Sequence, residues 1–343
     1  MPYDFRVDIL RNKAKIGELN TTSVRLNFDE SKPVMKSMSV DMHGFRMSQS
    51  TFTFDMFKDR LRPVLIVDGE ESPLGVYMVM AAPKTITDTE TYHTLEAYDE
   101  TMLLKQACFE ARTFYASGTR YLSIVENMLT SVGLGDVYAE TSTSSAPVDF
   151  EIAPGENYLD TINSILDAIN FQHVYADANG TINLRRVKNP TVPQFTYKTA
   201  DDFKLSPKLT ESTDIYNLPN VIVGLYSSPD SNTPVIYKKV NDDPNSTIST
   251  VNRGYRVVKT VNLRSSSAET DLEGYVDRIA FEAMQATESV EFGTAAEGGH
   301  EPNTAIQLDT EEVRGLFVEK GWDISISTGS FEMTHVAERK VFV

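Results

Sequence analysis

Residues 61–100 read LRPVLIVDGEESPLGVYMVMAAPKTITDTETYHTLEAYDE, and their turn chemistry sets the reading of the chain. Val64, Leu65, Ile66 and Val67 form a short apolar run that ends at Asp68-Gly69. That dipeptide accepts the positive φ angles of a tight hairpin turn, so the run reads as a strand and the chain must return. Residues 74–80 are the expected return strand, with Pro73 at its edge and Pro83 stopping it. A polar turn over residues 85–90 leads into a third strand, 92–98. The expectation is an antiparallel meander.

Toward the N-terminus the same texture continues. Tyr3, Phe5, Val7 and Ile9 alternate with Asp4, Arg6 and Asp8, and Val24, Leu26 and Phe28 alternate again. Residues 34–42 and 51–57 are weaker strand candidates. Short strands at this density predict a closed or nearly closed barrel over residues 1–105.

Helices enter after Thr101. Tyr121, Leu122, Val125, Met128, Leu129 and Val132 make one apolar stripe; Tyr158, Leu159, Ile162, Ile165, Leu166 and Ile169 make a second, 37 residues on throughout. Spacings of three and four put each set on one helix face. Thr119 and Asn157 are the expected N-caps, and Gly133 the first helix's stop. Asn179-Gly180 marks a hairpin. Residues 106–190 therefore read as a small α+β domain. After Pro190 and Pro193, strands are expected at 195–197, 220–226, 234–239 and 255–261, followed by the longest helix near 266–289. Ser266 and Glu269 would form its capping box.

The chain has 343 residues, 41% of them hydrophobic, enough for two or three packed domains. No apolar run approaches the roughly 18 residues that span a bilayer. The N-terminus lacks a basic-then-apolar signal pattern, so the reading expects cytoplasmic folding without cleavage or anchoring. The single Cys108 excludes an internal disulfide and a multi-cysteine zinc site; beside Leu103, Leu104 and Phe109 it reads as a buried thiol. A net charge of −17 argues against a basic nucleic-acid-binding face. It fits a solvated surface, or one from which passing DNA must slide free.

The opening meander recurs near the C-terminus. Gly75-Val-Tyr77 matches Gly315-Leu-Phe317, Ile86 matches Ile326, and Thr94-Leu-Glu-Ala97 matches Thr334-His-Val-Ala337, all at an offset of 240. As a duplication, this echo predicts a second, similar β-barrel over residues 191–343, giving an α+β, mainly β chain. Three chains with two similar barrels each would present six in a ring, matching a six-fold partner while remaining three-fold.

Several stretches carry a resemblance to a family: LRPVLIVDGEESPLGVYMV, TLEAYDETMLLKQ, SGTRYLSIVENMLTSVGL, PGENYLDTINSILDAIN, DIYNLPNVIVG, NDDPNSTIST, NRGYRVV and EGYVDRIAFEAMQATESVEF. In order and spacing the chain resembles bacteriophage tail hub (baseplate hub) proteins, whose fold is shared by the valine–glycine repeat proteins of type VI secretion. The resemblance implies a homotrimer in the virion's tail tip, two tube-like barrels per chain, and a channel for DNA and the tape-measure protein. It implies a hexameric distal tail or tail tube protein above and a spike or receptor-binding assembly below. Hubs often carry a C-terminal hydrolase; this chain stops at Val343, after the second meander, so none is expected.

Catalytic chemistry is not written in the sequence, and no catalytic, cofactor-binding or metal residue is assigned. His43, His93, His173, His300 and His335 lack paired zinc spacing; His300 with Glu301 is the metal alternative to a solvated loop. Asp99/Glu100 and Glu311/Glu312 are acid neighbours without an established separation across a sugar. Asp242-Asp243-Pro244-Asn245 reads as a turn, not a calcium loop. Trp322 reads as a half-buried barrel residue. The rival functions are a tail-associated cell-wall hydrolase and a carbohydrate-binding tail-tip module.

Overall fold

The computed structural model describes residues 2–43, 55–86, 91–188, 190–198, 209–226, 235–263 and 269–341. By internal contacts the chain forms two units, one of residues 1–208 with 292–336, the other of 209–291 with 337–343.

The first unit begins with β1 (Tyr3–Arg11), β2 (Ala14–Leu19), β3 (Thr21–Asp29), β4 (Lys36–His43), β5 (Asp59–Val67), β6 (Glu70–Pro73), β7 (Tyr77–Ala81), β8 (Lys84–Ile86) and β9 (Thr91–Asp99). Asp68 (φ 52°) and Gly69 (φ 86°) make the expected tight turn. The return strand differs from expectation. The chain pairs back over Glu70–Pro73, breaks at Gly75, and only then enters β7. Gly75 has φ 123°, and a Cβ there would sit 2.7 Å from the Tyr77 ring, so glycine is required on both counts. The expected strand at 51–57 lies partly outside the described residues; Asp55 to Lys58 form a turn leading into β5.

The interior follows from alternation. Val24, Leu26 and Phe28 of β3, Met38, Val40 and Met42 of β4, and Leu95 and Ala97 of β9 point inward and pack with Leu61, Leu65 and Tyr77. On the outer side Asp8 gathers Arg6, Lys15 and Arg62. Burial alone would raise its pKa, but the hydrogen bonds from these three cations hold it down at about 2.

After α1 (Met102–Gln106) come β10 (Thr113–Tyr115), α2 (Tyr121–Ser131), β11 (Val137–Ala139), β12 (Phe150–Ile152), α3 (Tyr158–Ala168), β13 (Tyr175–Ala176) and β14 (Ile182–Leu184). The two stripes read from the sequence bury Leu122, Val125, Met128 and Leu129 of α2 with Leu159, Ile162, Ile165 and Leu166 of α3, and Ile124, outside the expected stripe, joins them. Asn157 caps α3, accepting the Asp160 N–H at 2.8 Å. The N-cap of α2 is Arg120, without a side-chain cap bond; the Thr119 hydroxyl instead donates backward to the Ala116 carbonyl. β15 (Phe195–Lys198) completes this part.

In the second unit, β16 (Leu209–Asp214) is followed by β17 (Val221–Tyr226), β18 (Val235–Val240), α4 (Thr250–Arg253), β19 (Val258–Leu263) and α5 (Glu269–Ala283). β17 pairs antiparallel with β18 and parallel with β19. Val276 and Ala280 of α5 cover Ile222. Buried Asn220 closes the loops: its amide donates to the Ile248 and Tyr255 carbonyls and its oxygen accepts the Val257 N–H. Asp243 receives the Asn245 N–H, which confirms the turn at 242–245. The expected capping residue Ser266 lies outside the described residues.

β20 (Ala286–Ala295) neighbours β16 in the second unit, and its last residues belong to the first. β21 (Ala305–Asp309), β22 (Arg314–Ser327) and β23 (Ser330–Val341) follow. The neighbour order β21-β22-β23-β20 repeats the order β5-β7-β9-β4. Gly315 matches Gly75 in having positive φ, 148°. Tyr77 and Phe317 are each 0% exposed, and Ala97 and Ala337 are buried alike. Pairing of β7 with β9 shifts register between Val79 and Ala81; at the same place in β22, between Glu319 and Trp322, the inward phase slips by one.

Gly75→Ala is expected to cost about 2–4 kcal/mol, from positive φ and a clash with a core ring. Urea unfolding followed by Trp322 fluorescence reads it.

Candidate functional site

Two features stand out: a polar sheet face and a buried polar cluster. The face is built where the repeats meet. Residues 321–327 of β22 pair antiparallel with β3, so that Trp322, Ile324 and Ile326 oppose Phe28, Leu26 and Val24. These six turn inward and are buried. Their sequence neighbours therefore turn outward, and the rows continue into β4 and β9: Asp323 opposite Asn27, Asn27 opposite Ser37, Ser325 opposite Arg25, Arg25 opposite Ser39, and Ser39 opposite Glu96. Asp41 accepts the Thr94 hydroxyl at 2.7 Å, and Asn27 donates to Asp323 at 3.3 Å. The result is a continuous wall of hydroxyl, amide and carboxylate groups with one arginine, crossing the seam between repeats.

The buried cluster lies in the second repeat. Glu319 of β22 accepts from His300 Nδ1 at 2.9 Å and from His335 Nδ1 of β23 at 2.7 Å. With both Nδ1–H groups donated, His335 Nε2 accepts the Thr294 hydroxyl at 2.8 Å, and His300 Nε2 faces the Tyr197 hydroxyl at 3.3 Å. Phe195 stacks on His300 and Phe292 on His335. Burial would raise the Glu319 pKa, but the two imidazoles outweigh it and hold it below the usual carboxylate range. Burial likewise pushes His335 below its ordinary value, outweighing the attraction of Glu319. His300, Glu319 and His335 offer ligand atoms within 4.8 Å of one another, a set able to hold a metal ion. Yet the carboxylate is already satisfied by two N–H donors, so the cluster closes on itself. The same positions of the first repeat hold Val79 and Leu95, both buried.

Other residues singled out in the sequence fall elsewhere. His300 does not share a site with Glu301, which instead pairs with buried Lys36 at 2.9 Å and accepts the Ala178 N–H. Asp99 and Glu100 do not act together: Asp99 is buried and accepts the Thr101 and Lys36 backbone N–H groups, whereas Glu100 pairs with Arg60. Glu311 and Glu312 are exposed. His93 lies 3.4 Å from the Ala82 carbonyl, His173 pairs with Asp167 at the surface, and the His43 side chain lies outside the described residues. Trp322 is 4% exposed, more buried than expected. Cys108 is exposed, not buried, because Leu104 and Phe109 take the inward positions around it. The Glu319 partnership was not read from the sequence; its only signal is a charged residue on the inward phase of an apolar strand.

No protein-family model matches the chain, and no curated protein matches its sequence. Solved structures do. A tail protein from Neisseria meningitidis MC58 superposes with a TM-score of 0.70 at 14% identity, over 98% of this chain and 96% of that one. The 43 kDa tail protein of prophage MuSo2 from Shewanella oneidensis gives 0.67 at 9% identity, over 97% and 98%. A component of the type VI secretion system from E. coli, described as similar to the T4 tail proteins gp27 and gp5, gives 0.52 at 10%, over 100% and 77%. The fold is thus that of phage tail proteins and their type VI secretion counterparts. It is the mainly β hub fold that the sequence resemblance implied.

Glu319→Ala removes the acceptor of two buried imidazoles and is expected to lower stability by about 3–5 kcal/mol in urea unfolding. The pH dependence has a fixed sign. His335 takes up its proton less readily folded than unfolded, so stability falls as pH drops below 6.5 toward the folded value. Glu319 adds a further loss below 4.5. Thermal unfolding at pH 7 and pH 5 should show the first loss, and His335→Leu should flatten it.

Proposed function

We propose that the chain is a structural tail hub of a phage or phage-like particle: a homotrimer in the tail tip, without catalytic residues of its own. Each chain supplies two tube-like barrels, over residues 1–105 and 191–343, flanking an α+β domain at 106–190. Six barrels in a ring adapt a hexameric distal tail or tube protein to a three-fold spike or receptor-binding tip. The ring's channel passes DNA and the tape-measure protein. The observation that carries this reading is the seam between β22 and β3, which sets two copies of one strand order side by side with a common polar face. The tail-protein fold supports it.

In this reading the outward face of β22, β3, β4 and β9 lines the channel. Glu96 and Asp323 are exposed there, and their carboxylates would repel the phosphate backbone and keep DNA from adhering.

Images of the purified protein test the architecture: rings with a central hole and three-fold symmetry are expected. Single globules that bind glycans, or lysis of cell walls in a zymogram by this chain alone, would overturn it. For the channel, particles carrying Glu96→Lys and Asp323→Lys should eject DNA more slowly at low salt and recover at high salt. An unchanged ejection rate would remove the lumen assignment.

A further inference from the structure

The two repeats differ at one edge. In the second, the chain past the bulge continues as β22 and lies against β3, burying Ile326, which is 1% exposed. In the first, the corresponding residues are β8, which pairs with β9 on one side. Among the described residues, no strand pairs with the other side of β8. Ile86, the counterpart of Ile326, is 70% exposed. An open strand edge carrying an apolar side chain is a template for another chain.

We propose that the open edge of β8 receives a strand from a second copy of this chain, as β22 receives β3. The proposal rests on the hub reading for the number of copies and goes beyond it in naming the contact. The duplication identifies the occupant. β3 is the strand beside β4; the strand beside β20, the counterpart of β4, is β16. The strand expected on β8 is therefore the neighbouring copy's β16. Among the described residues β16 has β20 as its one strand neighbour, and Thr210, Glu211 and Ser212 are exposed. Charge agrees, with exposed Lys84 on β8 and exposed Glu211 on β16. Each chain then holds one seam filled internally and, among the described residues, offers the unpaired side of β8 to the unpaired side of its neighbour's β16. Such a head-to-tail contact closes into a ring when the rotation per chain divides a full turn. Burying Ile86 would supply part of the association energy.

Disulfide trapping tests the contact in the full chain. Exposed Cys108 is first removed as Cys108→Ser. Ile86→Cys is then combined in turn with Thr210→Cys, Glu211→Cys and Ser212→Cys. Paired strands bring Cα atoms within the roughly 4.4–6.8 Å that a disulfide requires. The expected result is intermolecular cross-linking by at least one combination, with covalent species ending at three chains. Absence of intermolecular cross-links from all three combinations overturns the proposal, as does a disulfide formed within one chain. The failures are separable: a trimer that forms without these cross-links keeps the hub reading and rejects this edge. Cross-linked ladders running past three keep the edge and reject the closed trimer. Ile86→Asp should weaken self-association about tenfold or more in sedimentation equilibrium, whereas Phe114→Asp at an exposed site off this edge should not.

Discussion

Antiparallel pairing between β22 and β3 is the constraint on which the first unit depends. The partners are nearly 300 residues apart, as in the bond from Asn27 to Asp323 with a separation of 296, so loop closure opposes it before any contact forms. What offsets that cost is the register: Trp322, Ile324 and Ile326 land opposite Phe28, Leu26 and Val24, and all six are buried. A slip of one residue would turn the apolar set to solvent and the polar set inward. One choice of register thus fixes both the shared core and the composition of the outer wall.

The second repeat answers a different demand with the same framework. Where the first places Val79 and Leu95, the second places Glu319 and His335 and adds His300 from a loop. A buried carboxylate is costly unless it is hydrogen-bonded, and here each Glu319 oxygen accepts one imidazole N–H while Thr294 and Tyr197 partner the far nitrogens of the two rings. Such a network is directional where apolar packing is not. It ties the 298–302 loop, β15, β20, β22 and β23 to one arrangement, whereas the apolar equivalent tolerates small shifts.

How much was legible in the sequence follows from the range of each signal. Asp68-Gly69, Asn179-Gly180 and the Asn157 cap are local: the residues that make the turn or cap are the residues that are read. The 240-residue offset was legible because duplicated strands keep their glycine and their alternation. The break at Gly75 was not, because it depends on the Tyr77 ring folding back beneath it. His300 and Glu301 are adjacent in sequence, which suggests a shared site, but the loop sends Glu301 to Lys36 and His300 to Glu319. Cys108 misled for a related reason, since apolar neighbours in sequence claimed the interior and left it outside. The seam itself has no local signature, because a strand's partner at long range is chosen by the whole sheet.

The seam also has a mechanical consequence. Seven residue pairs, from Gly321 with Asp29 to Ser327 with Ser23, face one another along the two strands. A pull parallel to the strands loads their hydrogen bonds in shear, all at once, so they must fail together. A pull across them peels the pairs apart one at a time, at far lower force. The joint is therefore strong in one direction and weak in the other, and that anisotropy is set by strand orientation alone.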